Sequence, residues 1–231
     1  ELVTFYENGN INRVFPLNGK ISGFWTEENE YALAREFEFK LSFGVFKTRI
    51  ISVRFYESGA LRGLTLWPGD SISIRTPCGE MDARSGITLY PDGKLKSIEP
   101  RKPTPINTPI GSITAYDPNP IGVHGDSNSL EFYPDGRVRS MLSSAVQITV
   151  SGPGGDKTAY GPSLEPNMFD SDRMDIIPLR IEFDGGKVRF DNLESGTYEI
   201  AGHDFSVRDL PVCQSDGCNS CSSCGSCREG A

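Results

Sequence analysis

Histidine is nearly missing from this chain, which holds only His124 and His203. Neither sits in a pattern that assembles a catalytic set. His124 has Asp126 and Ser127 close by, yet neighbours on an extended chain point apart and no G-x-S-x-G elbow occurs, so hydrolase chemistry finds no nucleophile, base and orienter together. Long apolar runs are missing too, which excludes a membrane-spanning helix. Blocks of positive charge are absent: the formal net charge is −8, with acids and bases interspersed, so no phosphate-neutralising surface and no nucleic-acid partner is expected. The first residues, ELVTFYENG, carry neither the basic nor the apolar region of a signal peptide. The glycine-rich stretch 151–163 lacks the order of a phosphate loop and is read as a loop. Asp170, Asp172 and Asp175 lack the glycine and terminal glutamate of an EF-hand, so a solvated acidic loop is expected there.

What the chain has in excess is punctuation. Apolar residues make up 37%, and 25 Gly with 16 Pro favour many short elements and turns over long helices. Two stretches nearly coincide, LYPDGKLKS from Leu89 and FYPDGRVRS from Phe132. Pro-Asp-Gly between alternating runs is a hairpin tip: Pro91 presets φ, Asp92 bonds its own backbone, and Gly93 takes the left-handed conformation that closes a three-residue loop. Counting outward pairs Tyr90 with Lys94, Leu89 with Leu95 and Thr88 with Lys96. In the second copy Phe132 then faces Val138, and Glu131 faces Arg139 as an opposite-charge pair.

Weaker copies follow the same rule: FYENGNINR pairs Phe5 with Ile11, and FYESGALRG pairs Phe55 with Leu61. In EFDGGKVRF, Gly185-Gly186 fits a two-residue loop that pairs Phe183 with Val188, Ile181 with Phe190 and Glu182 with Arg189. A second signature, T-P-x-G, occurs at Thr76 and Thr108. Repetition at this period means stacked supersecondary units that cannot bury their apolar faces alone. The fold class is all-β, an elongated repeat-type stack of antiparallel hairpins, meander or solenoid-like, with a short helix over residues 27–35 behind Thr26 as N-cap. Residues 36–43 alternate as a half-buried strand, and a second strand through residues 46–55 pairs with it. Residues 1–210 form the repeat domain and 211–231 a cysteine-rich tail. The hairpin core, aromatic-Tyr-x-[Asp/Asn]-Gly-x-[Leu/Val]-[Lys/Arg]-Ser, resembles the YwqK and MORN-type β-hairpin repeats, and that resemblance implies a non-enzymatic scaffold used for interaction.

Chemistry gathers in the tail. Cys213, Cys218, Cys221, Cys224 and Cys227 crowd a segment with almost no apolar residue, and the last four keep a strict C-x2-C-x2-C-x2-C spacing. Two-residue spacers let successive thiolates turn onto one centre, so a zinc ion or an iron–sulfur cluster fits. The run looks like a ferredoxin cluster loop but departs in its last spacing and lacks the following proline; disulfides, within the tail or to another chain, also suit an odd cysteine. His203 is a candidate nitrogen ligand to a tail metal. Cys78 fills the slot that Ile110 fills in the other T-P-x-G turn, so a small buried hydrophobe is expected. Tyr6, Tyr56, Tyr90 and Tyr133 share one register with Lys94, Lys96, Arg137 and Arg139, and stacked hairpins would make of them an aromatic and basic stripe suited to recognition, or a row serving β-propensity alone.

Taken together these features describe a non-enzymatic β-repeat scaffold whose cysteine cluster binds a metal or locks the tail. The second reading is an accessory electron-transfer subunit with an iron–sulfur cluster. A protein partner is expected, oligomerisation would cover the open sheet edges, and the compartment follows the tail: cytoplasmic with metal, exported with disulfides.

Overall fold

The computed structural model describes residues 1–17, 27–120, 128–168 and 174–210, and its architecture is all-β with one short helix. The first hairpin joins β1 (Leu2–Phe5) to β2 (Ile11–Phe15). Helix α1 (Glu27–Leu33) precedes β3 (Glu36–Leu41), β4 (Gly44–Phe55), β5 (Leu61–Leu66) and β6 (Ile72–Thr76). Next come β7 (Gly79–Leu89), β8 (Leu95–Pro100), β9 (Thr104–Thr108), β10 (Gly111–Ala115), β11 (Leu130–Phe132) and β12 (Val138–Ser143). The chain closes with β13 (Val146–Ser151), β14 (Lys157–Tyr160), β15 (Ser163–Pro166), β16 (Met174–Ile177), β17 (Leu179–Asp184), β18 (Lys187–Asp191), β19 (Ser195–Glu199) and β20 (Asp204–Asp209).

The hairpins lie side by side in one antiparallel sheet, ordered β1-β2-β4-β5-β7-β8-β11-β12-β17-β18-β19, with β3 added on β4 and β6 on β7. The pairs nearest the tips match the sequence expectation: Phe5 with Ile11, Phe55 with Leu61, Leu89 with Leu95, Phe132 with Val138 and Phe183 with Val188. One step further the register departs from it. Thr88 lies opposite Ser97 and not Lys96, and Glu131 opposite Ser140 and not Arg139. The same slip recurs in the first two hairpins, so Asn12, Arg62, Lys96 and Arg139 are each the extra residue of a β-bulge. The physical reason lies in the spacing of apolar residues after each turn, three apart at Ile11/Val14, Leu61/Leu64, Leu95/Ile98 and Val138/Met141. Strict alternation would send the second of each pair to the opposite face; the bulge returns both to one face of the sheet. Behind it runs an apolar row, Val14, Val53, Leu64, Ile87, Ile98, Leu130, Met141, Ile181 and Phe190, in continuous register across the sheet.

Smaller sheets, β9–β10, β14-β13-β20 and β15–β16, complete the domain. Ile106, Ile113, Ile148 and Val150 from them join Ile87, Leu89, Leu130 and Phe132 in one hydrophobic core. That cover does not reach the whole sheet. In the tip-proximal row Leu89 and Phe132 are buried and Phe55 is half-buried, whereas Phe5 is 60% and Ile11 43% exposed.

Other expectations are met or adjusted. Strands β3 and β4 pair as predicted, with Phe39 opposite Phe46. The helix ends at Leu33, short of residue 35, and the capping candidate Thr26 lies outside the described residues. Residues 151–163 are not a plain loop: Gly152 N–H donates to the Asp156 carbonyl, Gly155 N–H to the Gly152 carbonyl, and β14 pairs with β13. It is another tip of the same turn class with glycine where the others have tyrosine.

Candidate functional site: the tyrosine row and the tip cleft

The four turn tyrosines are set by one local device. In each tip the tyrosine N–H donates four residues on, to the carbonyl of Asn10, Ala60, Lys94 or Arg137, and the turn glycine N–H returns to the tyrosine carbonyl. The side chain before the glycine fixes the loop: Asn8, Ser58, Asp92 and Asp135 each accept from the backbone N–H two residues on. Those bonds hold the Asp92 and Asp135 carboxyls below their ordinary range. Gly93 and Gly136, with φ of 80° and 88°, occupy the left-handed region where a side chain would be strained.

So placed, the tyrosines form a ladder between hairpins. Tyr6 Oη donates to the Phe55 carbonyl at 2.8 Å, Tyr56 to Leu89 at 2.7 Å, Tyr90 to Phe132 at 2.7 Å, and Tyr133 to Phe183 at 2.8 Å. Burial raises the phenol pKa of Tyr56, Tyr90 and Tyr133. Bulge residues cover the rings: Arg62 lies 5.6 Å from the Tyr56 centroid, Lys96 5.9 Å from Tyr90, and Arg139 5.8 Å from Tyr133. Glu131 ties two of these cations together, with Lys96 Nζ at 3.5 Å and Arg139 Nη1 at 3.2 Å. The predicted aromatic and basic stripe is thus a real row, but its four hydroxyls and the ring faces of Tyr56, Tyr90 and Tyr133 are engaged inside the protein. A ligand of the stripe would have to displace them.

The ladder stops at the fifth hairpin, where Asp184-Gly185-Gly186 replaces the Tyr-x-x-Gly turn. There a cleft of about 730 Å³ opens between the tips of β11–β12 and β17–β18. Val138, Phe183 and Ile200 give it apolar walls, Tyr133 lines it as well, and Arg137, Asp184 and Lys187 add charge. Arg137 Nε pairs with Asp135 at 2.7 Å and Lys187 Nζ with Glu199 at 3.1 Å, so the charged groups are partly held in place. Both T-P-x-G turns reach the cleft, contributing Cys78, Thr108 and Pro109. In each, the threonine hydroxyl accepts from the N–H two residues on and donates to the glycine carbonyl, which folds Pro-x into a tight tip. A largely apolar cavity of this size with a few converging polar groups has the character of a binding site.

The two turns differ in surroundings, and this corrects the expectation for Cys78. Ile110 is 6% exposed, whereas Cys78 is an exposed free thiol. The β9–β10 turn lies against β20, where a Cβ on Gly111 would meet Val207 at 3.5 Å; Pro77 instead meets the Gly136 turn, and Cys78 is left on the cleft wall. Partial burial there raises its thiol pKa. Of the cleft residues, Cys78, Tyr133 and Arg137 were singled out in the sequence, but not as one site; Asp184, Lys187 and Ile200 were not candidates, and the Asp-Gly-Gly tip is the sequence feature that lies beside them.

Other candidates separate. The tail cysteines Cys213, Cys218, Cys221, Cys224 and Cys227 lie outside the described residues, as do His124, Asp126, Ser127, Asp170 and Asp172. Asp175 accepts from Asn167 Nδ2 at 2.7 Å. His203 packs edge-on to Tyr198, and its Nδ1 lies 2.8 Å from the Glu199 carbonyl. Among the described residues no three His, Cys, Asp or Glu side chains gather to hold a metal. A buried acid does stand out: Glu99, 1% exposed, accepts from the Ser129 N–H at 2.8 Å and Oγ at 2.7 Å, while its Oε1 lacks a hydrogen bond. Burial, opposed by those bonds and by Arg84 at 3.7 Å, lifts its pKa to about 7. Being enclosed, it acts on stability and does not meet solutes directly.

No protein family, curated protein or solved structure matches the chain.

Proposed function

We propose that the protein is a non-enzymatic β-repeat scaffold that recognises a protein partner at the cleft between its hairpin tips. The observation that carries this reading is the cleft at the end of the tyrosine ladder: four tips each donate a hydroxyl-to-carbonyl bond to the next, the fifth has Asp-Gly-Gly in place of the tyrosine, and beside that last joint stands an apolar cleft with charged margins. Its chemistry suits an apolar side chain of a partner loop, with Arg137, Lys187 and Asp184 placed to meet polar groups around it. The resemblance of the hairpin core to interaction repeats supports the same reading. The tail belongs to it as a clip, binding a metal through the C-x2-C-x2-C-x2-C run or locking by disulfides.

The test places a photo-reactive residue at position 187 and compares it with the same protein carrying Ala201→Trp, an exposed cleft position that the indole would fill. A discrete crosslinked partner lost on filling the cleft is expected. Crosslinking that Ala201→Trp leaves intact, or none at all, refutes the site. Elemental analysis of anaerobically purified protein addresses the tail separately: zinc makes it a structural clip, iron makes it an electron carrier, and neither metal with few free thiols makes it a disulfide lock.

A further inference from the structure

Four consecutive joints in the large sheet are built alike. In each, the tyrosine hydroxyl of one hairpin donates to the carbonyl that precedes the turn of the next: Phe55, Leu89, Phe132, then Phe183. The joint has a direction, since donors always lie on the N-terminal side. The matching carbonyl of the first hairpin is that of Phe5, and β1 is the terminal strand of the sheet. Among the described residues no tyrosine hydroxyl reaches it and no strand pairs with this edge. Tyr6 directs its N–H to β2, so antiparallel alternation turns the N–H and C=O groups of Phe5 and Val3 away from β2, to that edge. The apolar row stops short there as well, with Phe5 60%, Ile11 43% and Leu2 45% exposed, against 1% for Leu89 and 0% for Phe132.

We propose that the β1 edge docks a β-hairpin of the same aromatic-Tyr-x-x-Gly class, presented by a partner chain. Its second strand pairs with β1, its tyrosine hydroxyl donates to the Phe5 carbonyl, and its apolar side chains cover Phe5 and Ile11, which continues the interface already made four times within this protein. A second copy would not reproduce this joint. Two β1 edges could pair through their backbone N–H and C=O groups, but neither would bring a turn-tyrosine hydroxyl to the Phe5 carbonyl, because Tyr6 is bonded to Phe55, and at the opposite edge of the sheet the β19 tyrosine, Tyr198, shares a hydrogen bond with Tyr160. The inference is independent of the tip cleft.

The probe is a backbone-cyclised, fluorescent peptide carrying residues 86–98, GITLYPDGKLKSI, and a version with Phe in place of its tyrosine. Fluorescence anisotropy with the full chain should saturate with the first, weaken roughly fivefold with the second from loss of one hydrogen bond, and vanish with Val3→Pro. That substitution removes an edge-facing N–H and no β1–β2 bond, so its urea midpoint should equal wild type. Absence of saturation up to about 1 mM peptide, weaker than any specific docking, overturns the proposal, as does undiminished binding to Val3→Pro. Self-association in sedimentation without peptide, abolished by Val3→Pro, would assign the edge to a second copy and overturn it as well.

Discussion

Glu99→Gln should stabilise this protein at high pH and leave it unchanged at low pH. Glu99 is enclosed, one of its oxygens has no hydrogen bond, and its nearest cation, Arg84, donates to the Asp117 carbonyl and stacks on Tyr116 at 4.9 Å. Burial is the largest influence on the carboxyl, and the folded pKa of about 7 stands above an unfolded value near 4.5. Below the lower value both states hold the proton and Glu99 contributes no pH dependence. Between the two the folded state binds more protons, so stability falls as pH rises; above about 7 both states are ionised and the full cost of the buried charge is present. The difference in pKa corresponds to about 3 kcal/mol. Glutamine keeps an acceptor for Ser129 and carries no charge at any pH. Urea unfolding of both proteins from pH 4 to pH 8 isolates the residue, because every other titrating group is common to the pair. The expected difference is near zero at pH 4 and up to about 3 kcal/mol in favour of the variant at pH 8. Curves that stay parallel across the range, or a variant less stable at pH 8, would refute the assignment.

Two further outcomes follow from the tips. Tyr90→Phe removes one ladder bond at a covered hairpin and should cost about 1 kcal/mol, or roughly 2–4 °C in Tm; Tyr6→Phe, at the exposed end, should move the global melt less. If Tyr90→Phe melts within about 1 °C of wild type, the ladder contributes nothing to stability. Gly93→Ala and Gly136→Ala both place a side chain at positive φ and should each cost about 1 kcal/mol. Gly136→Ala should be the worse of the two, since its new methyl would lie 3.3 Å from Pro77 while nothing approaches Gly93 within 4 Å. Equal midpoints in urea would mean the β6–β7 turn does not rest on that tip.

The hairpins were legible because everything that makes them is local. Pro-Asp-Gly and Gly-Gly set loop lengths, loop lengths set the first pairs, and all five tip-proximal apolar pairs form as read. The bulges were also written in the chain, in apolar residues three apart after each turn, but a strict alternation rule passes over them. The shared register of Tyr6, Tyr56, Tyr90 and Tyr133 was visible in the same way, without the carbonyls that each hydroxyl meets, because those belong to the next hairpin 33–50 residues away. Cys78 and Ile110 show the limit most clearly: identical turn chemistry, opposite burial. Turn type and strand alternation are short-range and were determined by the sequence alone. Which tip leans on which, where the covering strands end, and whether a given side chain faces core or cleft were decided only in the tertiary structure, because burial depends on neighbours that backbone propensity does not choose.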